Sequence, residues 1–198
     1  MTLNKKQRQP SNVILRPQAE ESHSILLHVC CAPCSCVIIE RLLDEGAQLT
    51  VFFYNPNIFP KDEYERRKDS VIAFANKKGV PFIDQDYAHD DWLTRVKGLE
   101  NEPERGKRCS VCFDQRLERT ALYAHEHHYH VFATTNGIGR LKDRHQVDKS
   151  GLKAALPYPE LTYLVRNWRE KDALTRAATI SQEENFYRQQ YCGCEFSK

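Results

Sequence analysis

The chain has no apolar run approaching the roughly 18 residues that a membrane span requires. Its opening stretch, MTLNKKQRQPSNVILRPQAEESHS, is polar and lacks the apolar centre of a signal peptide. It also lacks a dominant charge: 29 Lys and Arg against 27 Asp and Glu leave a formal net charge of +2. Bulk charge therefore gives no pointer to nucleic acid. Internal repeats and low-complexity segments are absent. These absences lead to the expectation of a cytoplasmic protein with no membrane partner. The 198 residues suit one domain. Residues 1–22 read as a disordered polar tail and 23–198 as a single domain.

What the chain does have is cysteine in tight groups. Seven of its eight cysteines fall in Cys30-Cys31-x-x-Cys34, Cys109-x-x-Cys112 and Cys192-x-Cys194. In a reducing compartment such groups point to metal binding or redox chemistry rather than to disulfides. With a helix beginning near Cys31, Cys31 and Cys34 share one face, and Cys30 at a strand end can point into the same space. A helix N-terminus also favours thiolate. Cys36 lies about 200° round the helix from Cys34 and is expected in the core. Arg105, Lys107 and Arg108 flank the second group and favour its thiolates. Gly193 allows the tight turn that presents Cys192 and Cys194 to one centre. Iron–sulfur, a structural zinc site and a redox dithiol all remain open on spacing alone, although adjacent cysteines are unusual for zinc and seven thiols exceed the four of one cluster.

Short apolar runs predict strands at 24–29, 48–54, 80–83 and 130–135. Helical patterns separate them at 37–43, 60–78 and 110–127, and Ser181-x-x-Glu184 has the spacing of a capping box that would open a last helix. Strands alternating with helices predict an α/β fold with a mainly parallel sheet, and sites in such folds lie beyond the carboxyl ends of the strands. Cys30–Cys34, Asn55–Asn57 and Thr134–Gly139 all follow predicted strands, which argues for one shared site.

The run Leu27-His28-Val29-Cys30-Cys31-Ala32-Pro33-Cys34-Ser35 resembles the opening of the QueH family of epoxyqueuosine reductases. So do Phe53-Tyr54-Asn55-Pro56-Asn57-Ile58, Glu63-Tyr64-x-x-Arg67, Gly106-Lys107-Arg108-Cys109-x-x-Cys112, Arg116-Leu117 and Tyr187-Arg188-Gln189-x-Tyr191-Cys192-Gly193-Cys194. The resemblance spans about residues 23–196 in the family's order. It implies a layered parallel sheet similar to the adenine nucleotide α-hydrolase-like (HUP) fold, with the cysteine-bearing C-terminal segment folded back on the site. It implies an oxidoreductase that converts epoxyqueuosine to queuosine in tRNA, the last step of queuosine synthesis, without cobalamin. It further implies a [4Fe-4S] cluster with a mononuclear metal ion, iron or zinc, close by, and an external electron donor. ATP-using relatives of that fold carry a Ser-Gly-Gly-x-x-Ser loop after the first strand. Cys30–Ser35 stands there instead, so no ATP use is expected. Two stretches depart from the family pattern, Asn136–Arg144 and Asn167-Trp168-Arg169, and both bear on substrate loops.

The expected metal ligands are Cys30, Cys31, Cys34, Cys109, Cys112, Cys192 and Cys194. His28, Tyr54 and Tyr64 are the first candidates for proton donation, followed by His145 and Tyr191. Each has a plain alternative: a satisfied buried histidine for His28, packing for the tyrosines. The partner would be a queuosine-pathway tRNA read at its anticodon loop. Arg140, Lys142 and Arg144, with His145 and Lys149, form one basic stretch for phosphate contact, and Arg166 and Arg169, with Lys171, another. Solvated surface is the competing reading of both. Two other functions fit the same residues: an iron–sulfur tRNA desulfidase or sulfur-transfer enzyme, and a non-enzymatic zinc-binding adaptor.

Overall fold

In a computed structural model the described residues are 24–170 and 172–197. The polar stretch 1–22 and Lys171 lie outside them. Five parallel strands form one sheet: β1 (Ser24–His28), β2 (Gln48–Phe53), β3 (Phe82–Asp84), β4 (Val131–Thr134) and β5 (Thr162–Tyr163). Their order is β3-β2-β1-β4-β5. The order reverses direction between β1 and β4, and the crevice at that switch point is where an open α/β sheet takes its ligands.

Six helices cover the sheet: α1 (Ala32–Asp44), α2 (Lys61–Lys77), α3 (His89–Val96), α4 (Lys107–Glu126), α5 (Arg144–Ala155) and α6 (Ala173–Glu183). Successive strand residues point to opposite faces, and the two faces pack separately. Leu27, Val51, Phe53 and Ala133 meet α1, α2 and α6 through Val37, Ile38, Val71, Phe74 and Ile180. Leu26, Phe52 and Phe132 meet α4 and α5 through Phe113, Leu117, Ala121 and Val147. Both faces being covered explains why the central strands read as unbroken apolar runs. Among the described residues no helix is long and apolar enough to cross a membrane.

The parallel α/β reading stands, with three local differences. The capping-box spacing at Ser181 does not start a helix. Ser181 lies near the end of α6, and its hydroxyl donates to the Ala177 carbonyl at 2.6 Å. Pro60 is the N-cap residue of α2 rather than its first turn. Helices α3 and α5 and strand β5 had no place in the sequence pattern.

Gly151 is where α5 passes closest to the sheet. A Cβ there would lie 2.4 Å from the Tyr163 ring. That ring is packed on Phe132 and held by a hydrogen bond from its hydroxyl to Asp148 Oδ1 at 3.1 Å. Gly151→Ala is therefore expected to destabilise the fold by about 1–3 kcal/mol through overpacking. Urea unfolding of the two proteins measures the difference.

Candidate metal centre

The first thiol group sits directly on the end of the central strand. β1 ends at His28, Cys31 is the N-cap residue of α1 in extended conformation, and Pro33 is accommodated in the first turn. The Sγ atoms of Cys30, Cys31 and Cys34 lie within 4.8 Å of one another. Cys30 and Cys31 are buried, with Sγ atoms 3.7 Å apart. Hydrogen bonding from Cys31 and Cys34 pulls the Cys30 thiol well below the usual cysteine range, with Lys142 and Arg116 adding positive charge. The Cys31 thiol, as the donor to Cys30, is pushed up to about 12. Gln189 Nε2 donates to Cys31 Sγ at 2.8 Å. Cys36 turns away into the core, as its helical angle predicts, with its thiol near the carbonyls of Pro33 and Ala177.

The other four thiols line one cavity. Cys109 and Cys112 stand one turn apart at the start of α4, and the Arg105 amide donates to Cys109 Sγ at 3.3 Å. Cys192 and Cys194 arrive on the C-terminal segment. Gly193 between them has φ +120°, and a Cβ there would lie 2.9 Å from Arg67 Nη1. The turn can therefore press onto Arg67 only as glycine. Arg67 is 2% exposed. It donates to the carbonyls of Cys192 and Tyr191 at 3.1 and 3.3 Å, and its Nε donates to Glu63 Oε1 at 2.7 Å. Phe59 N donates to the Gly193 carbonyl at 2.9 Å, and Arg108 to that of Phe196 at 3.3 Å. The C-terminal segment is thus folded back on the site by contacts from α2, α4 and the loop after β2.

The two thiol groups meet at two buried cations, Arg116 of the Arg116-Leu117 motif and Lys142 of the first basic stretch. Arg116 Nη1 lies 4.0 Å from Cys112 Sγ, and Lys142 Nζ lies 3.8 Å from Cys30 Sγ. Lys142 also lines the cavity of the other four thiols. Burial alone favours its neutral amine, but the negative charge of Cys30 and Cys192 outweighs that and holds it above the usual lysine range. Four further cavity-lining residues carry buried polar atoms with no partner among the described residues: Asn57 Oδ1, Trp92 Nε1, Arg108 Nε and Gln146 Oε1. An arrangement of seven thiols, two cations and orphaned polar atoms suits a bound anionic metal–thiolate group. The donor chemistry fits an iron–sulfur cluster, with thiols to spare for a neighbouring ion.

The expected proton donors are placed differently. His28 is wholly buried. Its Nδ1 is 2.8 Å from Thr134 Oγ1 and its Nε2 is 3.1 Å from the Tyr54 carbonyl. Burial lowers its pKa to about 3, so it is neutral and both nitrogens are spent. Its hydrogen bonds are those of a satisfied buried histidine. Tyr64, 1% exposed, donates to Asp84 and to the Gln85 carbonyl, and Tyr54 receives a 3.5 Å hydrogen bond from Gln115. Burial raises the pKa of both tyrosines. Tyr191 donates to the Phe59 carbonyl at 2.5 Å, and His145 is exposed on α5.

The basic stretches also divide. Arg140 is exposed, and Arg144 is half-buried with Asp148 at 3.6 Å. Lys142 between them faces inward, because its ammonium is taken by Cys30 and Asn136. Arg166 forms a two-pronged pair with Glu45, and Arg169 donates to the carbonyls of Ile138, Gly139 and Lys142. Arg169 thus braces the loop that carries Lys142. Composition held no signal for these roles, because a buried lysine and a surface lysine look alike in sequence.

Comparison with known proteins adds a family and a fold. A family model described as epoxyqueuosine reductase QueH matches residues 25–198. The chain is 49% identical over 178 residues to the epoxyqueuosine reductase QueH of Acinetobacter baylyi, covering 90% of this chain and 82% of the relative. It is 47% identical to that of Histophilus somni, over 98% of this chain and 81% of the relative. It is 34% identical to that of Thermotoga maritima, over 88% and 90%. Among solved structures, the U34-tRNA thiolase NcsA from Methanococcus maripaludis with its [4Fe-4S] cluster superposes with a TM-score of 0.60. That match covers 90% of this chain but 62% of the thiolase, at 14% identity, and shows a shared HUP-like fold.

Proposed function

The chain belongs to the epoxyqueuosine reductase QueH family, and from that premise we propose that it reduces epoxyqueuosine to queuosine in tRNA at the centre formed by its seven clustered thiols. The observation that carries this reading is the meeting of both thiol groups around Lys142 and Arg116 at the switch point of the sheet. Cys30, Cys31, Cys34, Cys109, Cys112, Cys192 and Cys194 would hold a [4Fe-4S] cluster and an adjacent mononuclear ion, iron or zinc. Seven thiols exceed the usual four of one cluster, which supports the second ion. Such a group supplies electrons singly and, where an iron is open, polarises an oxygen.

The chain's own residues do the rest. Arg67 and Gly193 set Cys192 and Cys194 against the cavity. Arg169 braces the loop of Lys142, and buried Trp92 and Phe113 limit water at the cavity wall. The overall change adds two electrons and two protons to the epoxide and yields an alkene and water, with the electrons coming from an external one-electron donor. ATP use is not expected, since thiols occupy the turn where a phosphate-binding loop would lie, and the family resemblance implies that no cobalamin enters.

The test is anaerobic. Iron-reconstituted protein, dithionite and epoxyqueuosine-bearing tRNA should give queuosine on nucleoside analysis. Turnover of thiouridine-bearing tRNA in its place would assign the centre to desulfidation, and a colourless zinc protein without iron would assign it to an adaptor.

The tRNA anticodon loop would meet the cavity at the edge that Arg105 lines. Arg105 donates to the Arg140 carbonyl at 2.8 Å and so ties this edge together. Neutralising Arg140 and Arg144 together is expected to weaken tRNA binding across sequences and to reduce the salt slope by about 1 for each phosphate no longer neutralised. Filter binding from low to moderate salt reads both. Neutralising Arg166, which Glu45 already engages, should leave the slope nearly unchanged.

A further inference from the structure

Arg116 and Lys142 donate to the same atom. Arg116 Nη2 and Lys142 Nζ each lie 3.1 Å from Asn136 Oδ1. Arg116 Nη2 also donates to Asn55 Oδ1 at 2.6 Å. Both side chains are buried, at 1% and 8% exposure. Among the described residues no carboxylate lies within ion-pair distance of either one.

The fold goes to some length to hold them there. Asn55 follows β2 and donates its amide to the Val29 carbonyl at 2.9 Å, which aims its oxygen at Arg116. Asn136 follows β4, and its backbone amide donates to Thr134 Oγ1 at 3.2 Å. Two strand ends thus present amide oxygens, which carry only partial charge, to two full positive charges. Like charges this close repel, and each loses hydration on burial. Carboxylates in place of Asn55 and Asn136 would neutralise the pair locally, and they are not used. The groups left to balance the charge are the thiols: Cys112 beside Arg116, Cys30 beside Lys142, and the cavity cysteines around it.

We propose that Lys142 and Arg116 form a fixed positive pair that raises the reduction potential of the metal centre held by the thiols. The inference rests on the metal-centre reading above and goes beyond it by naming what tunes the centre. Net charge and hydrogen bonds to sulfur are main determinants of the potential of an iron–sulfur group. The reduced state carries one more negative charge than the oxidised state, so a neighbouring cation favours it. Lys142 is the better probe, because its ammonium sits between both thiol groups while its chain end can be changed without opening the core at Arg116.

The experiment uses the full chain, reconstituted anaerobically, with iron per chain measured first and the midpoint potential then read by spectroscopic redox titration. Lys142→Met is expected to hold iron as the parent does and to shift the midpoint to more negative potential. Lys142→Arg, which keeps the charge, should recover most of the shift. If the methionine protein holds less than half the parent's iron, the potential is read in Lys142→Gln, which keeps a hydrogen-bond donor toward Cys30 and drops only the charge. The same negative shift is expected there. An unchanged midpoint in the iron-loaded neutral variants overturns the proposal, as does an equal shift in Lys142→Arg, which would make the effect one of shape. A parent protein that takes up no iron overturns the metal-centre reading itself, a result distinct from either.

Discussion

Alanine at Cys112 is expected to abolish epoxide reduction and to lower the iron retained per chain, whereas alanine at Cys36 is expected to leave both in place. Both thiols are buried and both lie on helices, so burial alone does not separate them. Their surroundings do. Cys112 lines the cavity with Cys109, Cys192 and Cys194 and faces the Arg116 guanidinium. Cys36 packs between α1 and α6 beside the Ala177 carbonyl. Removing a residue that merely supports a metal ligand costs roughly 10–100-fold in affinity or activity, so removing a ligand should cost at least about 100-fold. At Cys36 the change removes one buried sulfur, worth about 1–2 kcal/mol of stability through the small void left behind. Iron assay and urea unfolding on the same preparations separate the two effects.

Arg67→Met has the largest expected effect on stability. Glu63 and Arg67 form a buried i,i+4 pair at 2.7 Å, 7% and 2% exposed at their side chains. Removing the guanidinium leaves Glu63 inside with only the Tyr187 hydroxyl, 2.8 Å away, to satisfy it. Breaking a buried pair in this way costs about 3–5 kcal/mol. The carbonyls of Tyr191 and Cys192 lose their donor in the same change. The double variant Glu63→Leu, Arg67→Met removes the stranded charge and should regain much of the stability. It should not regain the iron, because the clamp on the C-terminal cysteines is still missing. Urea midpoints and hydrogen exchange at 186–197 read the two consequences separately.

The thiols were legible in the sequence because seven cysteines in three groups have no ordinary packing role. The parallel sheet was legible because β1, β2 and β4 are covered on both faces and so read as apolar runs. Helix α3 was not: it has eight residues, with Asp90 and Asp91 in its first turn and only Trp92 and Val96 buried, too short for a period to emerge. Strand β5 is two residues long and exists through its pairing with β4. Ser181 misled because the serine and glutamate of a capping box can also occur at the spacing of one helical turn, and here the serine bonds back along the helix it was expected to open.

At the site, Lys142 misled for a different reason. It stands among Arg140, Asp143 and Arg144, a setting that reads as solvated surface, and only the turn of the loop after β4 carries it inward. Arg116 and Arg67 fell within recognisable motifs, but their tasks depend on partners 61 and 125 residues away in the chain. Such pairings are a property of the fold and have no local signature.

The proposed activity of this thiol centre is removal of the epoxide oxygen from epoxyqueuosine in tRNA. Its most direct measurement is nucleoside analysis of tRNA from a host that makes epoxyqueuosine and lacks any reductase for it, with and without this chain. Queuosine should appear when the chain is expressed and fail to appear with its Cys112→Ala variant. Epoxyqueuosine persisting unchanged beside an expressed, iron-loaded protein would contradict the account.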